Sequence, residues 1–376
     1  TLKIWDEEKV LSDVVWAIRT FKPDVVINRF DHRTPGTTHG HHTSSAMLSV
    51  EAFDLANDSL KFSDQLKHTE TWQPKRLFFN TSSWFYKSED EFKNATEGKL
   101  TSVDVGVYYP LKGLSNNEVA SLASSQHLCQ GFGRLSVRGN QNEYIEFLRG
   151  EKPKDTNDIF SGINTTWNRV KNGGDIGSIL YDIEKNFDFE NPAKHLKDLM
   201  LAYEKIQSLE DIHWRQIKQR QISQIIEACA GLYLEASSES SSAVPNDLLE
   251  VAVEVLNRNS EIPIFLESIS YKSDKIENIS YDILLENNVK QQFKKTLNLE
   301  KLSYSDPYWL QTEGSLGMYN VNKKTLIGKP ETPRKAVVFF NLLIGTTQIT
   351  FKKNIIHRYS KRDQGELYDP FEIVPL

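Results

Sequence analysis

Four of the chain's nine histidines fall within eleven residues, in the run Arg29-Phe30-Asp31-His32-Arg33-Thr34-Pro35-Gly36-Thr37-Thr38-His39-Gly40-His41-His42. Imidazole is the commonest metal ligand and titrates near neutral pH, so this density points to a metal-centred site. In His39-Gly40-His41-His42 the outer pair sits at spacing i, i+3, which lets both rings face one side of a turn at a helix entrance. A catalytic zinc typically takes three ligands from His, Asp and Glu and keeps a position open for water, whose pKa it lowers towards about 7. The run supplies part of such a set. A solvated histidine-rich loop is the other reading of the same spacing.

The elements around the run must hold it in place. Val10, Leu11, Val14, Val15, Ile18 and Phe21 recur at helical spacing, Lys22-Pro23-Asp24 breaks the pattern, and Val25-Val26-Ile27 reads as a buried strand. A second helix is expected from about Thr43 to Ala56. The histidines therefore follow the carboxyl end of a strand, where open α/β sheets bind their ligands. Arg76–Asn80 and Ser102–Val105 read as further strands, and Asn116–Ser125 as a helix ending in Gln126-His127-Leu128-Cys129-Gln130-Gly131.

Beyond this part, Asp155 to about Ala236 is patterned as helices, with Leu196, Leu199, Met200, Tyr203 and Ile206 on one apolar stripe and Ile222, Ile225, Ile226, Cys229 and Leu232 on another. A serine-rich linker, Ser237–Ser242, closes at Pro245. The period then changes to two along Leu249, Val251, Val253 and Val255, and Val337–Ile344 and Gln348–Phe351 also read as strands, which predicts a β-sandwich. The expected division is residues 1–150, 151–240 and 241–376.

Composition limits the function classes. A chain of 376 residues with 39% hydrophobic residues, 26% charged residues and a net charge of −6 has no basic excess of the kind that neutralises phosphates, so nucleic acid is not the expected partner. The longest apolar stretch, Ala336–Gly345, is too short to span a membrane. Cys129 and Cys229 are the two cysteines, too few for a cysteine zinc cage, so zinc would be held by His and carboxylate.

Pro23-Asp24-Val25-Val26-Ile27, the loop with Asp31, and then His39-Gly40-His41-His42 and Ala46 resemble the second signature of the LmbE-like (PIG-L) zinc-dependent de-N-acetylases, whose usual form is His-Pro-Asp-His. His127-Leu128-Cys129-Gln130 resembles the family's His-x-Ser-Gln element, with Cys129 in the serine position. The resemblance covers roughly residues 1 to 150, and long forms of the family, with a helical extension and a terminal β-sandwich, resemble the remainder. It implies an α/β fold with a Rossmann-like parallel sheet and a zinc cofactor. His42 would be the histidine zinc ligand and His39 the donor that stabilises the oxyanion. Arg29, Asp31, His41, His127 and Gln130 would line the substrate site. For Arg29 and Asp31 a local ion pair is the competing reading, for His127 a cap on helix carbonyls, and for His41 a surface position.

The family's His-Pro-Asp-Asp motif, which supplies the first histidine ligand, the aspartate ligand and the general base, is absent from these 376 residues. The expectation is that it lies upstream of Thr1, together with the first strand of the sheet. The implied activity is hydrolysis of an N-acetyl group on an amino sugar or glycoconjugate, and the family's glycan substrates favour the periplasm or cell surface. The alternative is a non-catalytic glycan-binding or interaction protein on the same scaffold, acting through sandwich aromatics such as Tyr308, Trp309 and Tyr319. His68, His195, His213 and His357 are isolated in sequence and are expected to be structural.

Overall fold

In the computed structural model, which describes residues 1–375, the chain forms two compact units. One comprises Thr1–Ile163 and Thr312–Gly328; the other comprises Asn164–Gln311 and residues 329–375. The fold is mixed α/β, with several separate sheets and most of its strands in the carboxyl-terminal part.

The first unit opens with α1 (Glu7–Phe21), whose cap Asp6 accepts from Lys9 N at 3.3 Å and which stops at Lys22 in the left-handed region, φ 53°. Strand β1 (Val25–Asn28) and helix α2 (Gly40–Leu55) follow. α2 is apolar on two sides. Leu48, Ala52 and Ala56 pack with Leu11, Val15 and Ile18 of α1, while Val50 and Phe53 pack with Leu77. The helix therefore fills the space between α1 and the sheet, which explains why its sequence lacks a single apolar stripe. Strand β2 (Arg76–Thr81), helix α3 (Glu89–Gly98), β3 (Leu100–Asp104), the short pair β4 (Tyr108–Tyr109) and β5 (Leu114–Ser115), helix α4 (Asn116–Ser125) and β6 (Asn142–Gly150) complete the unit's elements. The main sheet has the order β1-β2-β6-β3. β1 and β2 run parallel, with Val26 opposite Leu77 and Asn28 opposite Phe79, whereas β6 is antiparallel to both of its neighbours.

The second unit carries α5 (Gly173–Lys185), α6 (Leu196–Gln207) and α7 (Ile212–Cys229), then β7 (Tyr233–Ser238), β8 (Ser242–Ala243), β9 (Leu248–Leu256), β10 (Ile264–Lys272), β11 (Ile276–Leu284) and β12 (Gln291–Asn298). β13 (Val337–Ile344), β14 (Thr347–Asn354), β15 (Ile356–Lys361), β16 (Gly365–Pro370) and β17 (Glu372–Ile373) end it. One sheet has the order β11-β10-β13-β14 and another β12-β9-β7-β15-β16, in which β7 and β15 pair in parallel; β8 pairs with β17. Alternation decides which residues go inside. Leu249, Val251, Val253 and Val255 of β9 are buried, as are Val338, Phe340, Leu342 and Ile344 of β13, and they share one apolar core with Leu196, Leu199, Ile206, Ile222 and Ile226 of the helices.

No helix among the described residues is long and apolar enough to cross a membrane.

Candidate functional site

β1 ends at Asn28, a buried side chain whose Nδ2 donates to the Ala46 carbonyl at 3.4 Å and so ties the strand's end to α2. The ten residues that follow make the loop from which the histidines enter the helix. The helix starts at Gly40, three residues before the position that periodicity suggests. His39 takes the cap position in extended geometry, and its carbonyl accepts from His42 N at 2.9 Å. Its side chain makes no capping bond and remains available.

His41 and His42 therefore lie in the first turn of α2. The three rings form a compact group, with centroids 5.6 Å apart for His39 and His41, 5.5 Å for His39 and His42, and 4.1 Å for His41 and His42. Phe30 stacks on His42 at 3.9 Å and 8°. Desolvation holds the His42 imidazole below its ordinary value, and the neighbouring His41 and His39 add to the shift. A first helical turn, with its unpaired N–H groups, also favours a neutral ring. A neutral His42 ring in this setting can accept a proton, donate one, or offer a lone pair to a metal.

The loop is fixed by a chain of charges. Asp31 is buried and accepts from Arg33 N at 3.0 Å and Arg33 Nε at 2.8 Å. The Arg33 guanidinium then forks onto Glu146 of β6, at 2.9 and 2.6 Å. That bidentate geometry sets the loop's position against the sheet. His32 lies between these groups. Its Nδ1 is buried, stands 3.6 Å from Asp31, beyond hydrogen-bond reach, and has no hydrogen-bond partner. Arg29 donates to Asn80 Oδ1 and lies 4.0 Å from Glu143. Arg29 and Asp31 thus both pair with residues of the protein, Asp31 within its own loop.

A cavity of about 400 Å³ adjoins this network, lined by Asp31, Arg33, Thr81, Phe85, Tyr86 and Glu146 among others. Burial pushes the Tyr86 hydroxyl up from its ordinary value. None of the three clustered histidines lines the cavity.

His127 and Gln130 are exposed at the end of α4. His127 Nδ1 donates to Gln130 Oε1 at 2.7 Å, and the His127 ring lies 5.9 Å from Phe132. Among the described residues no hydrogen bond, ion pair or ring contact joins them to His39, His41 or His42. The structure brings together the three histidines and Phe30 on one hand, and Asp31, His32, Arg33 and Glu146 on the other. Sequence reading did not find Arg33 or Glu146, because their partnership spans 113 residues.

The remaining histidines have structural surroundings. His195 is buried, accepts from Asp188 N at 3.0 Å and stacks on Phe187. His357 Nδ1 donates to the Ser238 carbonyl at 3.1 Å, His68 packs edge-on to Trp16, and His213 lies edge-on to Trp214. Of the named aromatics, Tyr308 is buried, donates its hydroxyl to the Lys329 carbonyl and lies edge-on to Trp309, while Tyr319 is exposed and belongs to the first unit.

Among the described residues no group of three or more His, Cys, Asp or Glu side chains is arranged to hold a metal ion.

No family model matches the chain, and no curated protein does. Among solved structures it is similar to the alkylpurine DNA glycosylase AlkC of Pseudomonas fluorescens bound to DNA containing an abasic-site analogue, at 8% identity and a TM-score of 0.19, over 47% of this chain and 50% of that one. A β-glucosidase from Listeria innocua in complex with isofagomine gives 14% identity and 0.16 over 33% and 16%, and one from Erythrobacter marinus gives 15% and 0.17 over 33% and 15%. The chain spans half or less of the length of each. Scores of this size carry no argument about fold or function.

Proposed function

We propose that the first unit is part of a zinc-dependent hydrolase of the LmbE-like (PIG-L) kind, which removes an N-acetyl group from an amino sugar or glycoconjugate. The observation that carries this reading is the packing of His39, His41 and His42 within 5.6 Å of one another at the carboxyl end of a parallel strand, with the His39 side chain not used for capping. On this reading the sheet belongs to a Rossmann-like layout, and the other unit holds the helical extension and β-sandwich.

His42 serves as a zinc ligand through its imidazole nitrogen. When bound, zinc would supply a polarising cation and an activated water. His39 donates to the oxyanion that forms on the acetamide carbonyl, and its N–H must point at that position rather than at the metal. Phe30 holds the His42 ring by stacking. Arg29, His41, His127 and Gln130 are surface groups able to hydrogen-bond sugar hydroxyls, and Asp31 acts by holding the loop.

The test is zinc content and acetate release from N-acetylglucosamine derivatives, measured on the polypeptide translated from the start codon of its gene. Absence of both overturns the enzyme reading. A His42→Ala variant with full zinc and full activity removes the ligand assignment and leaves the reaction class standing.

A further inference from the structure

The cavity of about 400 Å³ in the first unit has α3 as one wall. Glu91, Ala95 and Lys99, the last just past the helix end, recur at i, i+4 and i+8 and so share the face that lines it. Ala95, the smallest of the three, sits between the two charges and leaves the wall shallow there. Phe79 and Thr81 of β2, together with Phe85, supply an apolar side with one hydroxyl in it.

The charges around the cavity divide into two sets. Asp31, Arg33 and Glu146 bond to one another and hold the loop. Glu91 and Lys99 belong to no ion pair among the described residues: the Glu91 carboxylate accepts from a backbone group, Lys87 N, at 3.0 Å, and the Lys99 ammonium meets no carboxylate. At about 1.5 Å of rise per residue their backbones stand about 12 Å apart, beyond the reach of the ion pair that i, i+4 spacing would give. A third group is also unsatisfied. Thr81 is 1% exposed, and its Oγ1 has no hydrogen-bond partner. The Tyr86 hydroxyl is its polar neighbour: burial pushes that hydroxyl up, Glu146 and Glu91 add to the shift, and Thr81 and Arg33 oppose it.

An isolated carboxylate and an isolated ammonium on one wall are complemented by a molecule that carries both charges in reverse order. The separation sets its length. A single amino acid holds its charged groups only about 2.5 Å apart, whereas two extended residues span about 7 Å. One charged hydrogen bond of about 2.8 Å at each end brings the total to about 12–13 Å, which matches the wall. The peptide group of such a molecule then lies over Ala95, where the Thr81 hydroxyl can donate to its carbonyl or accept from its N–H. Phe79 and Phe85 offer contact to an apolar side chain.

We propose that this cavity binds a zwitterionic dipeptide with an apolar side chain, its ammonium on Glu91 and its carboxylate on Lys99. The site uses none of the clustered histidines and does not depend on the hydrolase reading.

Isothermal titration calorimetry on the full chain reads the binding. L-alanyl-L-leucine is expected to bind saturably, with its N-acetyl form, its carboxamide form and free L-leucine each at least about tenfold weaker. Glu91→Gln and Lys99→Gln are each expected to lose at least about tenfold in affinity with the thermal midpoint retained, and Thr81→Val to lose severalfold. In Lys99→Gln the dipeptide and its carboxamide should bind alike, because the difference between them rests on that ammonium. Should Glu91→Gln fail to fold, since Glu91 also holds Lys87 N, the Lys99→Gln comparison decides alone. No saturable binding of the dipeptide, or capped forms that bind as tightly as the free one, overturns the proposal. L-leucine binding as tightly as the dipeptide overturns the dipeptide assignment.

Discussion

Arg19 Nε donates to the carbonyl oxygen of Ala56 at 3.0 Å, from a side chain with no solvent exposure at all. The same guanidinium donates to the carbonyls of Phe62 at 3.2 Å, Leu55 at 3.3 Å, Asp58 at 2.6 Å and Lys61 at 3.0 Å, and to Gln65 Oε1 at 3.0 Å. One cation of α1 therefore satisfies the carbonyls at the end of α2 and along the loop after it, groups that a helix terminus otherwise leaves unpaired. α2 carries the histidines, so their position depends on this clamp at its far end.

Arg19→Met should destabilise the first unit by about 3–5 kcal/mol, since it strands several buried acceptors at once. Arg19→Lys keeps the charge and loses the planar fork, and should recover less than half of that. Guanidinium denaturation measures both. A midpoint unchanged from the parent chain in the Met variant would contradict the clamp.

Acid should weaken the first unit through its histidines. Burial holds His32 below its ordinary value, with Arg33 and Arg149 adding to the shift and Asp31 and Glu146 opposing it. The unfolded chain, with an imidazole value of about 6.5, then takes up the proton before the folded chain does, so stability falls as pH drops through that value. His42 is shifted in the same direction. Stability measured at about pH 7.5 and about pH 5.5 should differ less in His32→Gln than in the parent chain. An equal difference would remove His32 from the account.

Asn257→Ala should cost the second unit about 2–3 kcal/mol. Its buried Nδ2 donates to the Leu285 carbonyl at 2.9 Å and the Asn259 carbonyl at 3.0 Å, and its Oδ1 accepts from Asn259 Nδ2 at 2.7 Å. Asn259 Nδ2 in turn donates to the Ala230 carbonyl just past α7, so the pair fastens the helix end to the strands. Urea denaturation followed by circular dichroism reads the cost, and a loss below about 0.5 kcal/mol would show that the pair is dispensable.

The two thiols should separate cleanly by reactivity. Cys129 is exposed, whereas Cys229 is buried on α7 and desolvation pushes its thiol up. A disulfide reagent should modify Cys129 rapidly in the native protein and Cys229 only on unfolding. Rapid release from both at once would show that α7 opens readily in the native state.

Much of the framework could be read from local pattern. α1, β1 and β13 follow from apolar spacing alone. β6 could not be seen this way, because Glu143, Glu146 and Arg149 interrupt its apolar residues and each binds a partner far along the chain: Asn80 for Glu143, Arg33 for Glu146 and Asp54 for Arg149. The histidine group was visible because its members are adjacent in sequence. The burial of His32 was not, since it depends on residues of β6.

The parallel pairing of β7 with β15 has a consequence for how the protein is made. Ser238 meets its partner His357 119 positions later in the chain, so a ribosome adding about 5–20 residues per second needs roughly 6–24 s between them. In the folded unit β7 pairs with β9 on one side, so until β15 has been made its other edge has no strand to pair with. The second unit is thus most prone to mispairing while it is still attached to the ribosome, and slower translation across residues 239–356 would lengthen the time for which that edge stays open.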